Sequence, residues 1–325
     1  MKNIVTVNDE LSSIDGASEW INSRPLKSSG LKGKVVMVNF WTYTCINWLR
    51  TLPYTRVWAE KYKKQGLVMI GVHTPEFSFE HNPDNVRKLA AELKVDYPIV
   101  IDNDYVIWQG FSNSYWPAFY LIDAKGTIRY HQFGEGGYDE SEKMIQKLLS
   151  EAGAVNVNYR LATPAGEGLE AAADWGDLQS PENYLGMART QNFSSPGGMS
   201  DKRKVYTFPA QLSLNQWALE GDWTAKPEKI VLGKAGGKIK YRFHSRDLHL
   251  VMGPMEKGKS IRFRILIDGA PPGAAHGTDV DEKGNGVLTD QKLYQLVRQH
   301  SSIVDRNFEI EFLDNGVEAF SFTFG

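Results

Sequence analysis

Val35-Val-Met-Val-Asn-Phe-Trp-Thr-Tyr-Thr-Cys45-Ile-Asn-Trp48-Leu-Arg-Thr-Leu-Pro53-Tyr54 decides the fold of the amino-terminal half of this 325-residue chain. The run from Val35 to Trp41 is almost wholly apolar, β-branched or aromatic, which predicts a central strand covered on both faces. Apolar residues then recur near helical spacing from Ile46 onward. The stretch therefore predicts a buried strand, a short turn and a helix that opens at Cys45.

Cys45 is the only cysteine of the chain, and it stands at the predicted start of this helix. Unpaired amide N–H groups and the helix dipole favour a thiolate there, which lowers the pKa of the thiol and makes the sulfur a nucleophile. A lone cysteine is more often a small buried hydrophobe. Its position favours the redox interpretation, and a single cysteine excludes an internal disulfide, which fits a reducing compartment.

Phe40-Trp41-x-x-x-Cys45-x-x-Trp48, followed by Pro53, resembles the active-site segment of thioredoxin-fold oxidoreductases. The longer string Trp-Thr-Tyr-Thr-Cys-Ile-Asn-x-Leu-Arg-Thr-Leu-Pro-Tyr is similar to the thioredoxin-like domain of DipZ-type proteins, relatives of the TlpA/ResA-like redoxins. The resemblance implies an α/β thioredoxin-like domain with Cys45 as its reactive residue. The implied surroundings of the sulfur are Asn39, Trp41, Thr44, Asn47, Trp48 and Trp116.

Two positions depart from the family pattern. The family has Cys-x-x-Cys, whereas the second position here is Trp48. A dithiol closes its own disulfide and releases a trapped substrate, and a monothiol cannot. Asn39 occupies the place where thioredoxins carry a buried acid. The sequence leaves two interpretations of Trp48 open: an active monothiol site, or a bulky plug on a retired one.

The segment from Ser114 to Asp123 predicts a strand that Pro117 opens, where a missing N–H is tolerated. The resemblance implies that the Trp116–Pro117 bond is cis and faces the reactive sulfur. It also implies that the Trp116 backbone is a docking edge for an extended substrate. His73 and His131 lie in apolar strand patterns and are expected to be hydrogen-bonded core residues rather than catalysts.

The second half of the chain reads as all-β. Its short strand candidates, separated by turns, suggest an antiparallel sandwich. They are Lys204–Phe208, Trp217–Gly221, Lys229–Leu232, Lys238–His244, Asp247–Met252, Ser260–Ile267, Lys292–Val297, Arg306–Phe312 and Glu318–Phe324. This half also resembles the carboxy-terminal domain of DipZ-type proteins, which is similar to a carbohydrate-binding-module jelly roll. The expected organisation is a thioredoxin-like domain at 1–154, a linker at 155–180 and a jelly-roll β-sandwich at 181–325, with the first domain able to fold alone.

Two groups of residues in the second half are candidate ligand contacts. Trp217 and Trp223 could stack on the apolar faces of sugars, although core packing is the commoner role of such residues. His276 and Asp279 lie in a Gly/Pro-rich loop from Asp268 to Gly286. The acidic spacing of that loop is faintly similar to a calcium loop but lacks the terminal glutamate, so no metal site is predicted.

Charge and hydropathy exclude some classes of partner. A formal net charge of -2 gives no general electrostatic reason to bind nucleic acid or anionic membrane. No window approaches the ~20 apolar residues that cross a bilayer. Met1 to Asp9 lacks the features of a signal peptide. A cytoplasmic protein is expected if Met1 is the natural start, and otherwise an extracytoplasmic domain of a membrane-anchored protein, as in DipZ-type relatives.

The leading hypothesis is a thiol-disulfide oxidoreductase or isomerase that works through Cys45 alone, without a cofactor. Its substrate would be a protein or low-molecular-weight thiol or disulfide, and an external or second substrate thiol would resolve the mixed disulfide. A peroxidase is not favoured, because no proline precedes Cys45 at the spacing that peroxiredoxins use. The competing hypothesis is a non-catalytic binding protein: a redox-inactive scaffold whose sandwich recognises a glycan or a protein.

Overall fold

The computed structural model describes residues 10–17, 19–300 and 302–325. The chain divides into two compact units, Met1–Glu170 and Ala171–Gly325. Residues 1–9, in which the sequence predicts no signal peptide, lie outside the described residues.

The first unit is built on a six-stranded mixed sheet with the order β1-β4-β3-β2-β5-β6. Its strands are β1 (Trp20–Ile21), β2 (Val35–Trp41), β3 (Leu67–His73), β4 (Ile99–Ile101), β5 (Ala118–Ile122) and β6 (Ile128–Phe133). Its α-helices are α1 (Ser28–Leu31), α2 (Ile46–Leu49), α3 (Leu52–Tyr62), α4 (Pro83–Glu92), α5 (Val106–Gly110) and α6 (Tyr138–Glu151). Short 3-10 segments span Glu10–Gly16, Lys63–Gln65, Ser78–His81 and Gly168–Glu170. This is the predicted thioredoxin-like α/β arrangement.

Strand β2 lies at the centre of this sheet, as the sequence predicts. It pairs in parallel with β3 and antiparallel with β5, and all seven of its residues are buried. Val36, Val38 and Phe40 belong to a hydrophobic cluster with residues of β3, β4 and β5. Because side chains alternate along a strand, Asn39 and Trp41 project to the opposite face. The reactive turn therefore continues from the most buried strand of the unit.

The helix after Cys45 differs from the prediction, because it is broken into two pieces. Helix α2 covers only Ile46–Leu49, and α3 begins at Leu52 with Pro53 in its first turn. Proline has no N–H and its ring crowds the preceding turn, so it fits the start of a helix and not the interior. Pro53 thus ends the short helix that carries Cys45 at its amino end.

The second unit is all-β and antiparallel, and each of the nine predicted strands is present. Two short strands, β7 and β14, were not predicted. The strands are β7 (Asn183–Tyr184), β8 (Lys204–Tyr206), β9 (Trp217–Ala225), β10 (Ile230–Leu232), β11 (Gly237–Phe243), β12 (Asp247–Pro254), β13 (Ile261–Ile267), β14 (Asn285–Leu288), β15 (Lys292–Arg298), β16 (Arg306–Phe312) and β17 (Val317–Phe324), with a 3-10 turn at Gly273–Ala275.

Strand β9 joins the two halves of this eleven-stranded sheet. The residues before Gly221 pair with β11, and those from Gly221 onward pair with β8 and β10. Gly221 has φ +95°, and a Cβ there would lie 2.9 Å from the Cα of Gly237, so only glycine fits this bend. Both halves contribute to one hydrophobic cluster, in which the rings of Tyr241 and Phe322 lie 5.0 Å apart. The jelly-roll assignment stays a prediction.

The segment after α6 is attached to the first unit over much of the predicted linker. The buried Glu142 carboxylate accepts hydrogen bonds from Lys61 Nζ and the Tyr62 hydroxyl, each at 2.7 Å, and from the Ala162 N–H at 2.7 Å. Glu170 forms an ion pair with Arg56. Residues 155–170, here called the strap, are therefore bonded to α3 and α6, and only the residues after Glu170 fall in the second unit.

Candidate active site

Cys45 lies at the amino end of α2 with its side chain half-buried. Its Sγ donates a hydrogen bond to the backbone carbonyl of Trp116 at 3.7 Å. The Trp116–Pro117 peptide bond is cis, as the resemblance predicted. The structure thus brings Cys45, Trp116 and Pro117 together although about seventy positions separate them in the chain. A partly accessible sulfur beside a backbone carbonyl can attack a disulfide while that carbonyl receives the substrate backbone.

Trp48, for which the resemblance implies the position of the family's second cysteine, is fully buried. Its ring stacks on that of Trp41, with centroids 4.2 Å apart and planes 21° from parallel. Trp48 therefore packs behind the turn rather than beside solvent. Asn47, one position earlier, is only half-buried.

Asn39 lies on the same face of the sheet as Trp41 and is fully buried. Within the described residues, neither polar atom of its side chain has a hydrogen-bond partner. A neutral amide at this place supplies no carboxylate to exchange a proton with the turn.

Glu80 is a buried acid that the sequence analysis missed. Its Oε1 accepts a hydrogen bond from the Thr44 hydroxyl at 2.6 Å. Its Oε2 accepts from the N–H groups of Glu76 and Phe77 at 2.6 Å and 2.9 Å. Burial raises the pKa of Glu80 to about 7, although these hydrogen bonds oppose the increase. A carboxyl whose pKa is raised to about 7 is thus hydrogen-bonded directly to Thr44, the residue that precedes Cys45.

A second missed acid, Asp102, supports the Trp116 side of the site. It accepts hydrogen bonds from the N–H groups of Ile107 and Trp108 at 2.9 Å and 2.8 Å, and from the Thr74 hydroxyl at 3.3 Å. Burial raises the pKa of this carboxyl. Trp116 Nε1 donates to the Thr74 carbonyl at 3.1 Å, and the Trp116 ring contacts that of Trp108 at 4.3 Å. Asp102 therefore anchors two of the residues that hold Trp116.

No sequence signal separated Glu80 or Asp102 from the other acids of the chain. Glu80 follows a loop, and Asp102 ends a short strand, as many exposed acids do. Their importance comes from burial, which depends on residues far away in the sequence.

The two histidine predictions are wrong in part. His73 is buried, and burial lowers its pKa to about 3, but neither of its ring nitrogens has a partner among the described residues. His131 is exposed instead of buried. It lies on β6, an edge strand whose residues alternate between half-buried and exposed because only one face is covered.

The second-unit candidates do not form a ligand site of the kind predicted. Trp217 and Trp223 are fully buried, so neither ring has a face for a sugar. Their indole N–H groups donate to the carbonyls of Gln191 at 3.0 Å and Glu220 at 2.9 Å. The predicted sugar-stacking role of Trp217 and Trp223 is therefore wrong, because both large rings are buried in the hydrophobic core of the sheet.

His276 and Asp279 lie in a loop that runs along the edge strand β15. The loop adds backbone hydrogen bonds to that strand from Gly277 at 2.9 Å and Asp279 at 3.1 Å. The Asp279 carboxylate accepts from the Gln295 N–H at 2.8 Å and from Lys292 Nζ at 3.3 Å. His276 Nδ1 lies 3.0 Å from the Val280 carbonyl. This part of the loop therefore covers a sheet edge.

The described residues hold neither a cluster of metal-ligating side chains nor a membrane-spanning helix. No group of three or more His, Cys, Asp or Glu side chains there has the arrangement of a metal site. No helix in this described part of the chain is both long and apolar enough to cross a membrane.

Each of the two units is similar to a known protein family. Residues 13–131 match the model of the AhpC/TSA family, and residues 180–325 match that of the thioredoxin-like C-terminal domain. Protein DipZ of Mycobacterium tuberculosis is 37% identical over 243 residues, which are 74% of this chain and 34% of DipZ. The chain thus spans about a third of that relative.

Shorter relatives match the first unit. The thiol-disulfide oxidoreductase YkuV of Bacillus subtilis is 28% identical over 42% of this chain and 93% of YkuV. The thiol-disulfide oxidoreductase ResA of Bacillus cereus is 26% identical over 39% of this chain and 71% of ResA. The chain therefore carries an AhpC/TSA-type, thioredoxin-like domain that is homologous to DipZ and to the thiol-disulfide oxidoreductases YkuV and ResA.

Proposed function

We propose that the protein catalyses thiol-disulfide exchange through Cys45 as its single nucleophile. The observation that carries the proposal is the half-buried Cys45 sulfur, 3.7 Å from the carbonyl of Trp116 and next to the Pro117 bond. Homology to two thiol-disulfide oxidoreductases supports the same class of reaction. The substrate class is a protein or low-molecular-weight disulfide.

The exchange proceeds in two balanced steps. The Cys45 thiolate attacks one sulfur of the substrate disulfide, a Cys45–substrate disulfide forms, and the other substrate sulfur leaves as a thiolate. An external thiolate, or a second thiolate of the substrate, then attacks the mixed disulfide and releases Cys45. Because Trp48 has no sulfur, the second step takes its thiol from outside the turn. Isomerisation and removal of glutathione both fit this scheme.

Glu80 and Trp116 have separate roles in the proposal. The Trp116 carbonyl, held through its indole by Thr74, receives an N–H of the extended substrate. Glu80 titrates in the range where thiols exchange protons, and Thr44 connects it to the reactive turn. Trp48 is buried against Trp41, whereas Cys45 itself is half-buried.

The rate of Cys45 alkylation by iodoacetamide, measured from pH 4 to pH 10, tests the proposal. We expect a titration with a midpoint well below the free-cysteine value of ~8.5, and a mixed disulfide after incubation with oxidised glutathione. Cys45→Ser is the control for both readouts. Slow alkylation without a transition near neutrality would instead support the non-catalytic scaffold, with the second unit as a binding module for a glycan or a protein.

A further inference from the structure

Tyr115 and Phe133 form an exposed aromatic pair in the first unit. Their rings stack with centroids 4.8 Å apart and planes 28° from parallel. The residues are nevertheless 52% and 39% exposed. Large aromatic side chains gain free energy when their apolar area leaves water, so a stacked pair at the surface offers a contact to a partner.

The pair adjoins the reactive sulfur. Tyr115 directly precedes Trp116, whose carbonyl accepts the hydrogen bond from Cys45. Phe133 pairs with Ala118 across β5 and β6, and the next residue, Gly134, donates to the Pro117 carbonyl at 2.8 Å. Neighbouring Cα atoms are about 3.8 Å apart. An extended substrate segment bonded to the Trp116 backbone therefore passes within a few residues of the pair.

The chemistry of the pair is apolar and aromatic rather than charged. Phe133 also contacts the rings of His131 at 4.6 Å and Tyr120 at 5.9 Å. Arg129 lies on the same strand, but it forms ion pairs with Asp123 and Glu151, both at 3.0 Å. Its charge is therefore balanced locally. Such a surface selects a partner by ring stacking and apolar burial instead of by charge.

We infer that Tyr115 and Phe133 determine the specificity of the exchange at Cys45, favouring peptide or protein disulfides whose cysteine is flanked by aromatic or large aliphatic residues. This inference rests on the proposed function, because it assigns a substrate class to that site. The occupant is an extended segment of the disulfide-bearing chain. The flanking side chain contacts the pair while the Cys45 thiolate attacks the adjacent sulfur and the other sulfur leaves as a thiolate.

Two peptides test the inference, Gly-Phe-Cys-Phe-Gly and Gly-Ser-Cys-Ser-Gly, each as a mixed disulfide with thionitrobenzoate. Attack by Cys45 releases the coloured thionitrobenzoate thiolate, so both rates are read directly. We expect the 325-residue chain to react roughly tenfold faster with the Phe peptide than with the Ser peptide. Tyr115→Ala combined with Phe133→Ala should remove this ratio. The same double variant should react within about twofold of the parent with 2-hydroxyethyl disulfide, a symmetric disulfide that has neither flanking residues nor an aromatic ring.

Tyr159→Ala is the matched control, because Tyr159 is 63% exposed in the same unit and its hydroxyl lies 2.5 Å from Ser150, at the carboxyl end of α6. It should keep the Phe-to-Ser ratio of the parent. Equal rates for the two peptides in the parent, or an unchanged ratio in the double variant, would overturn the inference. Sedimentation tests whether the pair instead joins two copies of the chain. If the parent self-associates and the double variant does not, the inference would also be overturned.

Failure of the proposed function gives a different pattern. If Cys45 does not react even with the symmetric disulfide, the proposed thiol-disulfide exchange is contradicted. The role of the aromatic pair is then tested by peptide binding alone. NMR line broadening of the S-methylated peptides with the Cys45→Ala chain measures that binding. Stronger broadening of the Phe peptide, lost in the double variant, would retain the pair as a peptide contact. Equal broadening of the two peptides would reject it.

Discussion

Around Cys45, neighbouring residues of the same turn have sharply different environments. Cys45 and Asn47 are half-buried, whereas Thr44 and Trp48 are buried. Thr44 donates to a buried carboxylate, and Trp48 stacks on Trp41. The turn thus combines an accessible sulfur with a closely packed interior. Burial raises the pKa of Glu80, which bonds to this turn through Thr44, to about 7, and its effect on stability can be measured.

Glu80 should make the protein less stable as the pH rises from about 4.5 to about 7. Its pKa is higher in the folded state than the ordinary 4.5, so its contribution is complete below pH 4.5 and is lost as the pH passes through about 7. The loss is on the order of 3 kcal/mol. Glu80→Gln mimics the protonated form and should flatten the free energy of unfolding across this range, measured by urea denaturation at each pH.

Glu92→Gln is the control for this measurement. Glu92 is exposed on α4, with its nearest ion-pair atom 4.0 Å away on Lys88. Its variant should follow the pH dependence of the parent. A Glu80→Gln curve parallel to the parent curve would show that Glu80 is ionised in the folded protein at all these pH values.

At the scale of elements, α6 connects the strap to the unit. Burial by itself would raise the pKa of Glu142, but hydrogen bonds from Lys61, Ala162 and Tyr62 outweigh it and lower the pKa. The carboxylate is therefore ionised near neutral pH and accepts hydrogen bonds from two residues of α3 and from the strap. The strap depends on this charged acceptor.

Glu142→Gln should lower the free energy of unfolding by about 2 kcal/mol, because the amide is uncharged and keeps only one of the two oxygens that accept these hydrogen bonds. The strap should also become the first site of limited proteolysis, detected by mass spectrometry of the fragments. Glu140→Gln, an exposed position on the same helix, provides the matched control. Equal stability and identical cleavage in the two variants would show that Glu142 does not hold the strap.

For the whole molecule, two units with separate cores suggest that the first unit can fold alone. The sequence placed its end at 154, whereas the strap extends the bonded region to Glu170. We propose residues 1–170 as the folding unit. In a fragment that ends at 154, the buried Glu142 would lose the Ala162 N–H, and Arg56 would lose Glu170.

Residues 1–170 should therefore unfold at a temperature roughly 5–10 °C higher than residues 1–154, with both fragments monomeric and Cys45 reactive in each. Circular dichroism melting and iodoacetamide labelling provide the two readouts. Equal melting temperatures would show that the folding unit ends at residue 154. Aggregation of both fragments would show that the first unit needs the second for folding.

The sequence by itself determined the elements and the position of the sulfur. The apolar run Val35–Trp41 specified the central strand, because a strand buried on both faces requires such a run in any context. Alternating patterns between turns located all nine predicted strands of the second unit. The resemblance around Cys45 and Pro117 added the cis bond and the thioredoxin-like arrangement.

Only the tertiary structure decided which polar and aromatic residues are buried. Thr44 and Glu80 meet across 36 positions, and no local pattern encodes that contact. His131 is exposed because β6 is an edge strand, whereas Trp217 and Trp223 are buried because both halves of the second sheet close over them. The physical reason is common to these cases. Secondary structure follows the spacing of neighbouring residues, but solvent access, and with it pKa and ligand contact, depends on segments that are distant in the chain.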